Sequence, residues 1–193
     1  FWVEKSTPEE IKPMVVKGIE AWNYAFERAG FKNAVVAKIQ PDDAEWDAGD
    51  IRYNVVRWSS SPEPGFSGYG PSIGNPRTGE LIAADIVQEF NAIKRGYNYR
   101  KIWGWTPESD PLEQWIVSLT MHEVGHTIGL RHNFSASYLW GPKEVHDKNI
   151  TGDSTISSIM DYDPINIAPP GLKQGKYFPT VPGEYDRWAI EFG

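Results

Sequence analysis

The segment His122-Glu123-Val124-Gly125-His126-Thr127-Ile128-Gly129-Leu130-Arg131-His132 holds three of the four histidines in the chain. Residues four apart on a helix lie about 40° apart around its axis, so His122 and His126 share a face and can grip one metal, with Glu123 beside them. Two neutral imidazoles and a neighbouring carboxylate suit zinc: the nitrogens hold the ion while the glutamate, outside the ligand set, handles protons. A third ligand is needed. Were the helix to continue, His132 would sit roughly 240° round from His126, nearly on the opposite face. Gly129 stands where the chain must turn, and a glycine can adopt the left-handed conformation that ends a helix. His-Glu-x-x-His alone arises by chance on surface helices; a third histidine and a glycine at the turning point do not suit a plain helix surface. The spacing predicts one Zn2+ per chain, held by His122, His126 and His132, with Glu123 as general base.

Composition narrows the alternatives. The chain has 193 residues, 40% hydrophobic and 13% aromatic, enough for one core and short for two. A net charge of −7 argues against phosphate backbones or anionic lipid as partners. The absence of cysteine excludes disulfides, thiolate ligands and cysteine nucleophiles, so any metal must rest on histidine and carboxylate. No apolar run is long enough to cross a bilayer, and the first residues carry no signal-peptide pattern. Without an initiator methionine the segment reads as part of a longer chain.

The elements that position the histidines follow from pattern. Asp110, with Glu113 reaching back, has the form of a capping box and predicts a helix from about Pro111 to Leu130. Thr7-Pro8-Glu9-Glu10 repeats that form before apolar residues at 11, 15, 19, 22, 26 and 29, predicting a long amphipathic helix that ends at Gly30. Ala34 to Ile39, Ile51 to Trp58 and Glu80 to Ile86 read as strands. Ser59 to Gly79 and Ile167 to Gly183, dense in Pro, Gly and Ser, read as surface loops, and Glu184 to Phe192 as a final helix.

The motif His122-Glu123-x-x-His126-x-x-Gly129-x-x-His132, followed by Ser158-Ile159-Met160-Asp161-Tyr162, resembles the metzincin clan of zinc endopeptidases, whose second signature is a methionine turn beneath the metal. Together with these motifs, Asn75-Pro76-Arg77-Thr78-Gly79-Glu80 and Asn133-Phe134 resemble, more narrowly, the metalloprotease domain of large bacterial proteins without a defined function. The resemblance implies an α+β, zincin-like fold: a mixed twisted sheet with one antiparallel edge strand, two long helices and a small C-terminal subdomain. It divides 1–193, a single catalytic domain, into an N-terminal subdomain at 1–132 and a C-terminal one at 133–193. It makes Met160 the floor under the zinc. It gives Tyr162 a place where some clan members carry a tyrosine that ligates the metal and then swings to the oxyanion; a tyrosine merely packed in the turn remains the alternative. An extended substrate would pair with the antiparallel edge strand, for which Leu81, Ile82, Ala83 and Ala84 are the candidates, and the segment from Asp163 to Ile167 would wall the main specificity pocket. Asn133 departs from the residue that follows the third histidine in astacins, adamalysins and serralysins, so the chain sorts into none of them.

The expected function is peptide hydrolysis by a zinc-bound water that Glu123 deprotonates. A latent or inactive metzincin-fold binding module in a larger protein, and a zinc amidohydrolase acting on a non-protein amide, are the alternatives. Protein or peptide is the expected partner, with a monomer and an extracellular, periplasmic or cell-surface location. Structural Ca2+ has no signature: Asp147-x-Asn149-x-Thr151 starts like a calcium loop but continues with Ser154 and Ser158 at the wrong places. His146 reads as an ordinary exposed histidine, Asn133 and Asn149 as glycosylation patterns without meaning in a bacterial source, and Trp103-Gly104-Trp105 as packing.

Overall fold

The computed structural model of the chain describes residues 1–63, 65–104 and 111–193. The first long helical segment is split into α1 (Lys12–Glu20) and α2 (Asn23–Arg28). It begins later than the capping-box pattern predicts. Pro13 has no N–H to give to a carbonyl one turn back, so it fits the first turn of a helix and not the sixth residue of one that starts at Pro8; Pro8 to Ile11 form a separate turn instead. Gly30 ends α2 as expected, at φ +90°, with the Phe31 N–H closing onto Phe26 O at 2.9 Å.

The sheet is built from β1 (Trp2–Val3), β2 (Lys38–Ile39), β3 (Val55–Ser59), β4 (Gly68–Tyr69), β5 (Ser72–Gly74) and β6 (Leu81–Glu89). The order β2-β1-β3-β6 is parallel, and β4 and β5 pair antiparallel with β6. The first two expected strands survive only in part, as β2 and β3, while the third runs on to Glu89. The stretch expected as loop from Ser59 to Gly79 holds β4 and β5. Its glycines and serines have little strand propensity, and it is β6 that imposes pairing on them.

This topology corrects the placing of the edge strand. β6 takes β3 on one side, from Asp85 onwards, and β4 and β5 on the other, so the stretch of Leu81, Ile82, Ala83 and Ala84 is already paired with β5 on the antiparallel side. The antiparallel edge is the β4–β5 segment. A strand that reads as long and β-branched is the one the sheet buries, and an edge is short and polar.

Helix α3 (Asn91–Trp103) leads towards α4 (Leu112–Thr127), which packs across α1; Asp110 and Trp105 of the sequence reading, and the side chain of Trp103, lie outside the described residues. Gly18 makes the α1–α4 contact close: a methyl there would come within 2.6 Å of Thr120 Cβ. Trp22, fully buried, donates its indole N–H to Met121 O at 2.9 Å, and Gln88 of β6 donates to Thr120 Oγ1 at 2.7 Å. The core of Val3, Val15, Ile19, Val56, Ile86 and Val124 thus clamps α4 from one side. The C-terminal part carries a short α5 (Lys148–Thr151), whose N-terminus is capped by Asp147, and then α6 (Glu184–Phe192), where the sequence places it. No helix is long and apolar enough to cross a membrane among the described residues.

Candidate metal centre

The second half of α4 is buried on nearly every side from Ile116 to Gly125. His122 and Glu123 are 8% and 5% exposed, whereas His126 is half-buried and His132 exposed. The helix ends in a Schellman turn: Gly129, at φ +100°, donates to His126 O at 3.1 Å and Leu130 donates to Gly125 O at 3.0 Å. The reversal that the sequence assigned to Gly129 therefore occurs there, and it returns His132 to the face of His122 and His126.

The three imidazoles converge through Nε2. His132 Nε2 lies 3.3 Å from His122 Nε2 and 3.0 Å from His126 Nε2. Three nitrogens on a tetrahedral zinc at about 2.0–2.1 Å would stand roughly 3.3–3.4 Å apart; these two separations are near that value, and all three ligand nitrogens lie within 4.8 Å of one another. The outer nitrogens fix the tautomers. His122 Nδ1 donates to Ile159 O at 2.7 Å and His126 Nδ1 to Leu130 O at 3.1 Å, which leaves both Nε2 lone pairs facing inwards. His122 is held down to about 4, first by burial and then by the neighbouring imidazoles, so it is neutral and ready to ligate at neutral pH. His132 is lowered too, by burial ahead of His126. Converging lone pairs on neutral rings repel one another unless a cation lies between them.

Glu123 stands beside the histidines and beneath the edge strand. Burial raises its carboxyl to about 7, opposed by the Gly70 N–H that points to it. Below the cluster, Met160 is buried and packs where Gly125 leaves room on α4. Tyr162 does not pack into the turn: it is 68% exposed, with its ring centroid 4.5 Å from that of His132 and 5.5 Å from that of His122. His146 is half-buried and stands apart from the cluster.

Asp186 is a residue that sequence reasoning passed over. Fully buried at the start of α6, it accepts from Ser158 Oγ at 2.5 Å, Ile159 N at 2.7 Å and Gly183 N at 2.9 Å. It is pushed up to about 6 by burial, against these three hydrogen bonds. Its spacing of three from Gly183 is that of a capping-box acceptor, the one sequence signal that could have singled it out.

A cleft of about 440 Å³ opens beside the cluster. It runs between Phe66 to Gly68 of the edge, the α4 face of Trp115, Leu119 and His122, and the segment from Asp161 to Ile165, with Phe178 against Trp115 at 5.1 Å. The walls come from residues on both sides of His132 in the sequence.

A family model described as Met-zincin matches residues 108–193, which span α4, the three histidines, the methionine turn and α6. No curated protein and no solved structure matches the chain. The matched segment contains the whole His122, His126, His132 and Glu123 cluster, whose arrangement is similar to a metzincin-type zinc-protease active site.

Proposed function

We propose that the chain is a zinc-dependent endopeptidase. The observation that carries this reading is the convergence of three imidazole Nε2 atoms, with the Nδ1 of His122 and of His126 already committed to backbone carbonyls. Such a set favours zinc, which when bound supplies a Lewis acid that acidifies water and polarises a carbonyl. Glu123, near 7, is poised to take a proton from water and to return it to a departing amine. The Tyr162 hydroxyl, on a ring leaning over His122 and His132, is a candidate donor to an oxyanion. An extended peptide would lie along β4 and β5, the edge of the sheet beside Glu123, and place one side chain in the cleft that ends at Trp115 and Phe178. The apolar lining suits a large aliphatic or aromatic residue. Action outside the cytosol belongs to the same reading, since an unrestrained endopeptidase would be harmful within it.

The test is zinc content and chelator-sensitive casein hydrolysis, measured on the parent, His132→Ala and Glu123→Gln. The expected result is one zinc per chain and hydrolysis in the parent, weakened metal binding in His132→Ala, and full zinc with hydrolysis lost in Glu123→Gln. Hydrolysis that survives Glu123→Gln overturns the role of that residue. Zinc without hydrolysis of any peptide turns the reading to a binding module.

A further inference from the structure

The edge strand touches the helix beneath it at two glycines. A methyl group at Gly68 would come within 2.6 Å of Glu123 Oε1 and 2.9 Å of its Cγ. One at Gly70, which is buried, would come within 2.5 Å of the Glu123 carbonyl oxygen and 3.1 Å of Oε2, and the Gly70 amide donates to the carboxylate. The strand has little room to retreat. Gly68 is paired with Gln88, whose side chain is hydrogen-bonded to Thr120 of α4, so the sheet and the helix that bear the two partners are fastened to each other. Gly65, just before this edge, has no such restriction, because a methyl there would meet nothing within 4 Å.

We propose that Gly68 and Gly70 are positioning residues for Glu123: the bare Cα of Gly68 makes the space the carboxylate occupies, and the Gly70 N–H fixes its rotamer. This rests on Glu123 being the general base. The two positions differ in what a side chain would displace. At Gly70 it meets helix backbone, which cannot yield without moving α4. At Gly68 it meets the end of a flexible side chain, so the fold can survive while the base is turned away from its working position. A misplacement of this kind costs on the order of 100-fold in turnover even when every ligand stays in place.

The decisive variant is Gly68→Ala, with Gly65→Ala as control. Gly68→Ala is expected to bind one zinc and to melt within a few degrees of the parent, with kcat falling by on the order of 100-fold and KM changing less than about twofold. Gly65→Ala is expected to match the parent. In the metal-free protein labelled with 15N-glycine, the Gly70 amide resonance is expected to move in Gly68→Ala as it does in Glu123→Ala. Turnover within twofold of the parent, a loss confined to KM, or an unmoved Gly70 amide overturns the proposal. Should the parent hydrolyse nothing, the peptidase reading fails by itself, and the Gly70 amide alone decides the positioning role. If Gly68→Ala does not fold, adding Glu123→Ala removes the clashing carboxylate and is expected to restore folding; a double variant that also fails to fold overturns the proposal.

Discussion

The ring of His122 is held by the methionine turn: its Nδ1–H donates to the carbonyl oxygen of Ile159 across 2.7 Å. The same Ile159 donates its own N–H to Asp186, which also takes the Ser158 hydroxyl and the Gly183 N–H. A carboxylate at the start of the last helix therefore sets the orientation of a metal ligand through the backbone of one residue. Asp186→Ala is expected to weaken zinc binding by roughly 10- to 100-fold, as loss of an outer partner of a ligating histidine does. It also leaves three buried donors without an acceptor, at about 2–4 kcal/mol of stability. Competition with a chelating dye and urea unfolding would measure the two effects; an affinity within twofold of the parent would break the link between Asp186 and His122.

Gly125, between the two helical ligands, is where Met160 reaches α4. A methyl group there would overlap Met160 Sδ and come within 2.9 Å of Trp22 Cζ2. Gly125→Ala is expected to destabilise the protein by about 1–3 kcal/mol through overpacking. Met160→Ala opens a cavity at the same point, so in the double variant the two changes should partly cancel. Denaturant melts of the four proteins give the coupling energy. Additive losses would mean that Met160 and α4 are not in the contact described.

What could be read from the sequence was whatever is local. Histidine spacing, the Gly129 turn and the last helix depend on residues within one or two turns of each other, and each is where its pattern puts it. The failures lie where distant segments decide. Tyr69 favours a strand but stands between Gly68 and Gly70, which do not, and the segment becomes an edge because Gln88 and Val87 offer a ladder. Leu81 to Ala84, with the better strand sequence, consequently carry β5 as a partner instead of forming the outermost strand. Pro13 was legible but outweighed by the apolar period around it, although a missing N–H is the stronger constraint. Asp186 gave only a capping pattern, because its partners Ser158 and Ile159 are more than two dozen residues away.

The buried Glu123 should leave a mark on stability. Its carboxyl is raised from 4.5 to about 7 by burial, so between these pH values the folded metal-free protein keeps a proton that the unfolded chain has released. Ionisation therefore costs folding stability progressively as pH rises through this window, and the cost is complete above 7. Glu123→Gln removes it. In chelator-treated protein the variant and the parent are expected to be about equally stable at pH 4, with the variant ahead by roughly 2–3 kcal/mol at pH 8. Urea midpoints at the two pH values check this, and an advantage independent of pH would assign the effect to packing.

The cleft makes a prediction about sequence preference. Trp115, Leu119 and His122 lie on one face of α4 over seven residues, so the distance from the metal ligand to the aromatic end wall is about 10 Å along the helix. That length accommodates a leucine, methionine or phenylalanine side chain, while an aspartate would be stripped of water against Leu119 and Phe178 with no cation among the described cleft residues to meet it. Ile165 faces this space from the segment after the methionine turn and is half-buried, so replacing it disturbs the core little. Ile165→Trp is expected to lower kcat/KM by about tenfold or more for peptides that offer a large apolar residue, and to affect alanine-bearing peptides much less, since a few methylenes in such a pocket are worth about 1–3 kcal/mol each. Mass-spectrometric mapping of the cuts in a mixed peptide library, for parent and variant, would show the shift. An equal loss across all peptides would mean that the side chain of the substrate enters elsewhere.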